Sequence, residues 1–194
     1  MIAIKSLNKT YQAGSQILKA VDDVTLGVEA GAFVSIVGHS GSGKTTLLSL
    51  MGGLTSPDSG VVSIDGQDLW RLGHDQRAEL RNRAMGFIYQ FASLLPTLTV
   101  LENVLLPTMY AKGEKGSVDA AKLLDEMGLA DKAKSFPAEL SGGQQRRVAI
   151  ARAFINDPKI ILADEPTGDL DEDTEAEVLG FFRHMNREYA TTFV

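Results

Sequence analysis

The chain has 194 residues, 44% of them hydrophobic, and a formal net charge of −6, which suits one packed core and lacks the basic balance of a nucleic-acid-coating protein. It has no cysteine and three scattered histidines, His39, His74 and His184, which excludes disulfides and thiolate metal sites and leaves no zinc cluster to assemble. No basic-plus-apolar leader opens it and no apolar run approaches the ~20 residues that span a bilayer, so a soluble chain is expected.

Residues 1–30 alternate apolar and polar positions (Ile2, Ile4, Leu7; Val24, Leu26, Val28) around turn signals at Gly14-Ser15 and Ala30-Gly31. This predicts antiparallel strands. Tyr11 lies among them, a candidate for stacking on an adenine ring, with half-buried packing as the alternative. Ala32–Val37 is a short apolar run with β-branched residues and predicts a buried strand.

Gly38-His39-Ser40-Gly41-Ser42-Gly43-Lys44-Thr45 follows, and it fits G-x-x-x-x-G-K-[ST], the phosphate-cradling loop of nucleoside-triphosphate enzymes. Glycines let the backbone bend around an anion, and the next helix, opening at Thr46 and stopping at Gly52-Gly53, presents its N–H groups to the same phosphates. Lys44 supplies a mobile charge to the β- and γ-phosphates, and the Thr45 hydroxyl can ligate Mg²⁺. His39 is expected to turn its side chain away from the nucleotide.

Val61–Ile64 predicts a strand and Asp65-Gly66 a turn. Residues 75–83 predict a charged helix whose three arginines face solvent or, alternatively, a partner. Gly86–Tyr89 predicts a short strand ending at Gln90. From residue 91 the character turns helical. Thr99 with Glu102 has capping-box spacing, Pro96 and Pro107 bracket a leucine-rich helix whose apolar surplus at 94–98 could be a docking surface, and residues 117–127 predict a second helix stopped by Gly128.

Leu140-Ser141-Gly142-Gly143-Gln144 precedes a strong helix. Ser141 and Gln144 again form a capping box, placing Gly142 and Gly143 in the first turn as a second candidate anion-binding terminus. Ile160–Ala163 predicts a parallel buried strand that delivers Asp164 and Glu165 to its C-terminal end, where open α/β sheets place ligands. Asp164 can hold Mg²⁺ and Glu165 can orient or deprotonate an attacking water. Asp169-Leu170-Asp171 is a turn, and residues 172–188 predict a helix with Val178, Phe181, Phe182 and Met185 inward.

Together these motifs resemble the ATPase subunit of ABC (ATP-binding cassette) transporters, and the resemblance covers essentially the whole chain. Residues 38–45 match the family's phosphate loop, Leu140–Gln144 its signature motif, Gln90 its Mg²⁺-sensing glutamine, Asp164 and Glu165 its acidic strand end, and Asp169–Asp171 its D-loop. Tyr89-Gln90-Phe91, Leu94–Val100 and Pro166-Thr167-Gly168 are similar to the lipoprotein-release, macrolide-efflux and cell-division branch. The implied fold is α/β, a P-loop NTPase (RecA-like) core with an N-terminal antiparallel β subdomain and an inserted α-helical signature subdomain. It forms one domain over 1–194, with 1–90 and 156–194 as core and 91–155 as the helical insert.

The resemblance implies a head-to-tail dimer around two MgATP, with Ser141, Gly142, Gly143 and Gln144 of one copy closing on the γ-phosphate held by Lys44 of the other. It implies hydrolysis through Glu165, Lys44 and Gln90, metal ligation by Thr45, Gln90 and Asp164, and nucleotide contacts from residues 38–46 (Thr46 included), Tyr11 and Asp169. It further implies an integral membrane permease as partner, no nucleic acid, and residence at the cytoplasmic face of the inner membrane. The alternatives are an ATP-dependent dimerising scaffold with little turnover and an ABC ATPase without a membrane partner. A switch histidine is expected a few residues after the strand that Thr192-Phe193-Val194 begins. The sequence ends before it, so a C-terminally truncated, weakly hydrolysing family member is expected.

Overall fold

The computed structural model describes residues 2–111, 118–168 and 170–194. An antiparallel sheet is built from β1 (Ile2–Ala13), β2 (Gln16–Val28), β3 (Ser59–Ile64) and β4 (Gln67–Asp68), in the order β2-β1-β3-β4. A parallel sheet runs β5 (Met85–Ile88), β6 (Ile160–Ala163), β7 (Thr192–Phe193). The helices are α1 (Lys44–Met51), α2 (His74–Ala84), α3 (Val100–Leu105), α4 (Ala120–Glu126), α5 (Gly142–Phe154) and α6 (Glu172–Tyr189). This is the expected α/β P-loop architecture with an N-terminal antiparallel sheet.

Strand β6 explains how the layers join. Successive strand residues face opposite ways, and here both faces are buried. Ile160 and Leu162 pack with Ile2, Ile4, Val62, Leu50 and Met51. Ile161 packs with Val148, Phe154, Val178, Phe182 and Phe193 on the other side. A four-residue apolar strand therefore sits between two cores, and its C-terminal end carries Asp164 and Glu165 into the open.

The local signals hold. Thr99 caps α3 reciprocally with Glu102, and Ser141 caps α5 with Gln144. The second predicted helix runs from Ala120, with Asp119 accepting from the Ala121 N–H as its cap; Ser117, where the prediction begins, lies outside the described residues. Gly128, at φ +65°, follows α4 as the predicted stop.

Two expectations are corrected. Ala32–Val37 forms a single bridge, Phe33 to Phe193, held by Val34 N–H to Phe193 O (2.9 Å) and Phe193 N–H to Ala32 O (2.8 Å). Its side chains alternate between half-buried and exposed, Val37 reaching 87%. Of the three α2 arginines Arg83 is exposed as expected, but Arg77 and Arg81 are not simply a solvated face. The Arg77 guanidinium lies 4.1 Å from the Trp70 ring centroid and donates to Leu72 O, and Arg81 donates to Gly53 O. Long arginine stems cover apolar surface while their heads find carbonyls, which a helix without one buried residue needs in order to dock.

Candidate nucleotide site

The phosphate loop curls around its own lysine. Lys44 Nζ donates to the carbonyls of Gly38 (2.9 Å) and His39 (3.1 Å), and the Ser42 N–H donates to His39 O (3.1 Å). His39 thus contributes through its backbone. Gly43 caps α1 at φ +93° with no side-chain cap, and a Cβ there would stand 2.0 Å from the Ala20 carbonyl. Only glycine fits. The next three residues, Lys44, Thr45 and Thr46, occupy the first helical turn, whose N–H groups have no intrahelical acceptor. Such a terminus attracts anions through oriented amides and the helix dipole. A cavity of about 400 Å³ beside the loop is lined by Lys19, Ala20, Val21 and Asp22 of β2 together with Gly38, His39 and Lys44.

The acidic strand end meets this loop. The Thr45 hydroxyl donates to Asp164 Oδ2 at 2.7 Å, and the Asp164 N–H donates to Ile88 O at 2.8 Å, locking β6 beside β5. Glu165 follows with φ +48°, a left-handed conformation uncommon for a non-glycine residue. The Gly168 N–H closes the turn on Glu165 O at 3.1 Å. The Gln90 amide at the end of β5 donates to Glu165 Oε2 at 3.2 Å. Strand ends, not sequence neighbours, gather these groups.

A hydroxyl and a carboxylate in contact are two hard oxygen donors of the kind Mg²⁺ takes alongside substrate phosphates. The pair Thr45 and Asp164 fits that metal. Among the described residues no set of three or more His, Cys, Asp or Glu converges on a metal-sized point.

The structure does not bring every expected residue to this place. Tyr11 is 40% exposed, pairs with Leu18 across the β1–β2 hairpin, and has Lys9 Nζ 5.5 Å from its ring; it does not line the cavity beside the loop. Ser141, Gly142, Gly143 and Gln144 open α5, and Gly142 lines a cavity of about 200 Å³ at the Gln90 edge of the site, with Arg146 and Leu170. That cavity shares no residue with the one beside Lys44. Asp169 lies outside the described residues.

Sequence reasoning missed two arginines of α5. Arg146 is 6% exposed and donates to Tyr89 O at 2.6 Å and Gly168 O at 3.3 Å. Arg152 donates to Ser93 O and Ala92 O, each at 2.8 Å; burial lowers its pKa from the usual arginine value, and burial raises that of the neighbouring Tyr89 phenol. The signal was available: Arg146 falls on the helical stripe of Ala149, Ile150 and Ala153, all buried.

The family model described as ABC transporter matches residues 21–168, well over half of the sequence. The chain belongs to the ABC transporter family. It is an ATP-binding ATPase domain of that family. It is similar along its full length to the lipoprotein-releasing system ATP-binding protein LolD of Shewanella frigidimarina (44% identical, spanning 82% of that protein). It is also similar to the macrolide export ATP-binding/permease protein MacB of Syntrophobacter fumaroxidans (46% identical), of which it spans 28%. Among solved structures it resembles the dimeric post-hydrolysis state of the ATP-binding cassette MJ0796 bound to ADP and Pi, with a TM-score of 0.93, 40% identity, and coverage of 100% of this ABC cassette and 86% of that chain.

Proposed function

We propose that two copies of this cassette close head to tail around two ATP molecules and that hydrolysis drives a separate integral membrane partner of the lipoprotein-release or macrolide-efflux type. The observation that carries this reading is the convergence of Thr45 with Asp164 and of Gln90 with Glu165 at one set of strand ends beside Lys44.

In this reading residues 38–46 wrap the phosphates through backbone N–H groups, and Lys44 leaves its two carbonyls for the β- and γ-oxygens. Thr45, Asp164 and Gln90 hold Mg²⁺, which when bound neutralises developing phosphate charge. Glu165 orients the attacking water and accepts its proton, with Gln90 steering the carboxylate. Asp169 is assigned a nucleotide contact, and Tyr11, on the β1–β2 hairpin outside the cavity beside the loop, is the candidate for stacking on the base. Ser141, Gly142, Gly143 and Gln144 form a second anion-binding terminus, and its separation from the Lys44 cavity within one chain supports service to the partner's ATP.

A groove of about 510 Å³ lined by Arg81, Tyr89, Leu106, Pro107 and Tyr110 adjoins Gln90. Tyr110 and the nearby Phe91 and Met109 are more than 70% exposed, and so large an apolar rim supports docking of the membrane partner there. Among the described residues no helix is long and apolar enough to cross a membrane, so attachment to the cytoplasmic face of the inner membrane is assigned to that partner. The net charge of −6 gives no support to a nucleic-acid role.

The test is light scattering with MgATP on the parent and Glu165→Gln. An ATP-dependent dimer that lives longer in the variant is expected. A variant dimer no longer lived than the parent's would remove Glu165 from the hydrolytic step, and monomers at saturating ATP would remove the two-site closure.

A further inference from the structure

Taking a guanidinium out of water is costly unless good acceptors replace the solvent, so the targets of Arg146 are informative. One is the carbonyl of Tyr89, the residue before Gln90. Another, among the described residues, is the carbonyl of Gly168, whose own N–H closes the turn on Glu165. Since Gln90 donates to Glu165 at 3.2 Å, the contacts form a closed circuit from Arg146 through Tyr89, Gln90, Glu165 and Gly168 back to Arg146. A planar fork reaches two acceptors on different segments at once, which an ammonium does poorly. Six residues along the same helix Arg152 holds Ala92 and Ser93, so α5 grips the Gln90 segment on both sides.

We propose that Arg146 is a positioning residue that ties the orientation of α5, and with it Ser141 and Gly143 at its N-terminus, to Gln90 and Glu165. It acts through the Tyr89 and Gly168 carbonyls. It makes the geometry of the hydrolytic pair depend on where the signature helix sits, so that a displaced helix pulls Tyr89 and Gly168 apart. The inference rests on Glu165 acting in hydrolysis as proposed above.

The experiment compares the parent with Arg146→Met, Arg146→Lys and Glu165→Gln in steady-state ATP turnover, thermal unfolding and amide hydrogen exchange. Arg146→Met is expected to lower kcat about tenfold with KM within about twofold, and Arg146→Lys to return to about two- to threefold below the parent. Parent-like kcat in the Met variant overturns the proposal, as does an equal loss in both variants with KM moving alongside, the mark of a merely structural role. Should Arg146→Met fail to fold, Arg146→Lys decides: kcat about two- to threefold down at unchanged KM supports the proposal, and full activity overturns it. If the parent shows no turnover, or Glu165→Gln turns over like the parent, the reading of Glu165 has failed and exchange alone decides Arg146. Roughly fivefold faster exchange at 89–93 and 165–168, with α5 itself unchanged, is then the expected result. Unchanged exchange in those segments overturns it.

Discussion

The Gln90 amide and the Glu165 carboxylate stand 3.2 Å apart although 75 residues separate them. The parallel pairing of β5 with β6, Ile88 opposite Ala163, brings them together, and the hydrogen bond aims a carboxylate that the strained turn at Glu165 has already swung out of line with its strand. Gln90→Ala should therefore lower kcat by roughly 10- to 100-fold through lost positioning while ATP affinity changes little. Glu165→Gln removes the proton acceptor itself and should cost on the order of 10²- to 10⁴-fold. Phosphate release under saturating ATP, with equilibrium nucleotide binding in parallel, checks both. An intact rate in Gln90→Ala would mean the contact is ornamental.

Gly43→Ala tests the loop rather than the chemistry. At φ +93° an alanine is strained, and its Cβ would sit 2.0 Å from the Ala20 carbonyl, a backbone atom that cannot swing aside. Strain of this kind costs about 1–3 kcal/mol before the clash is counted. A total near 3 kcal/mol would lower Tm by roughly 6–12 °C in a chain of this size. Calorimetry should show that loss together with weakened ATP binding, because β2 and the phosphate loop must part to admit the methyl group. A Tm within a degree of the parent would contradict the tight approach of Ala20.

Asp58 supplies a pH signature. Its carboxylate accepts from Lys9 Nζ (2.9 Å), Thr10 Oγ1 (2.7 Å) and the Thr10 N–H (2.6 Å), bonds that together hold its pKa down to about 2, the Lys9 contact contributing most. A carboxylate depressed in the folded state stabilises the fold above its unfolded pKa and loses that contribution as pH falls through the folded value. The Tm difference between the parent and Asp58→Asn should thus be constant above about pH 5 and shrink between about pH 4 and pH 2. A difference that stays the same down to pH 2 would show that Asp58 acts through shape alone.

What was legible in the sequence is what short-range chemistry writes there. The phosphate loop, the capping boxes at Thr99 and Ser141, the hairpins and the acidic pair after Ile160–Ala163 each depend on residues within a few positions of one another, so spacing alone reveals them. What only the tertiary structure decided is which distant segments share a boundary. The contact of Thr45 with Asp164 spans 119 residues. The burial of Arg146 needs the carbonyls of Tyr89 and Gly168 to arrive from two other elements. The single bridge of Phe33 to Phe193 joins segments 160 residues apart. Helix and turn preferences act over about four residues, whereas strand neighbours are selected by burying both faces of β6 at once, a condition that no single stretch of the chain expresses.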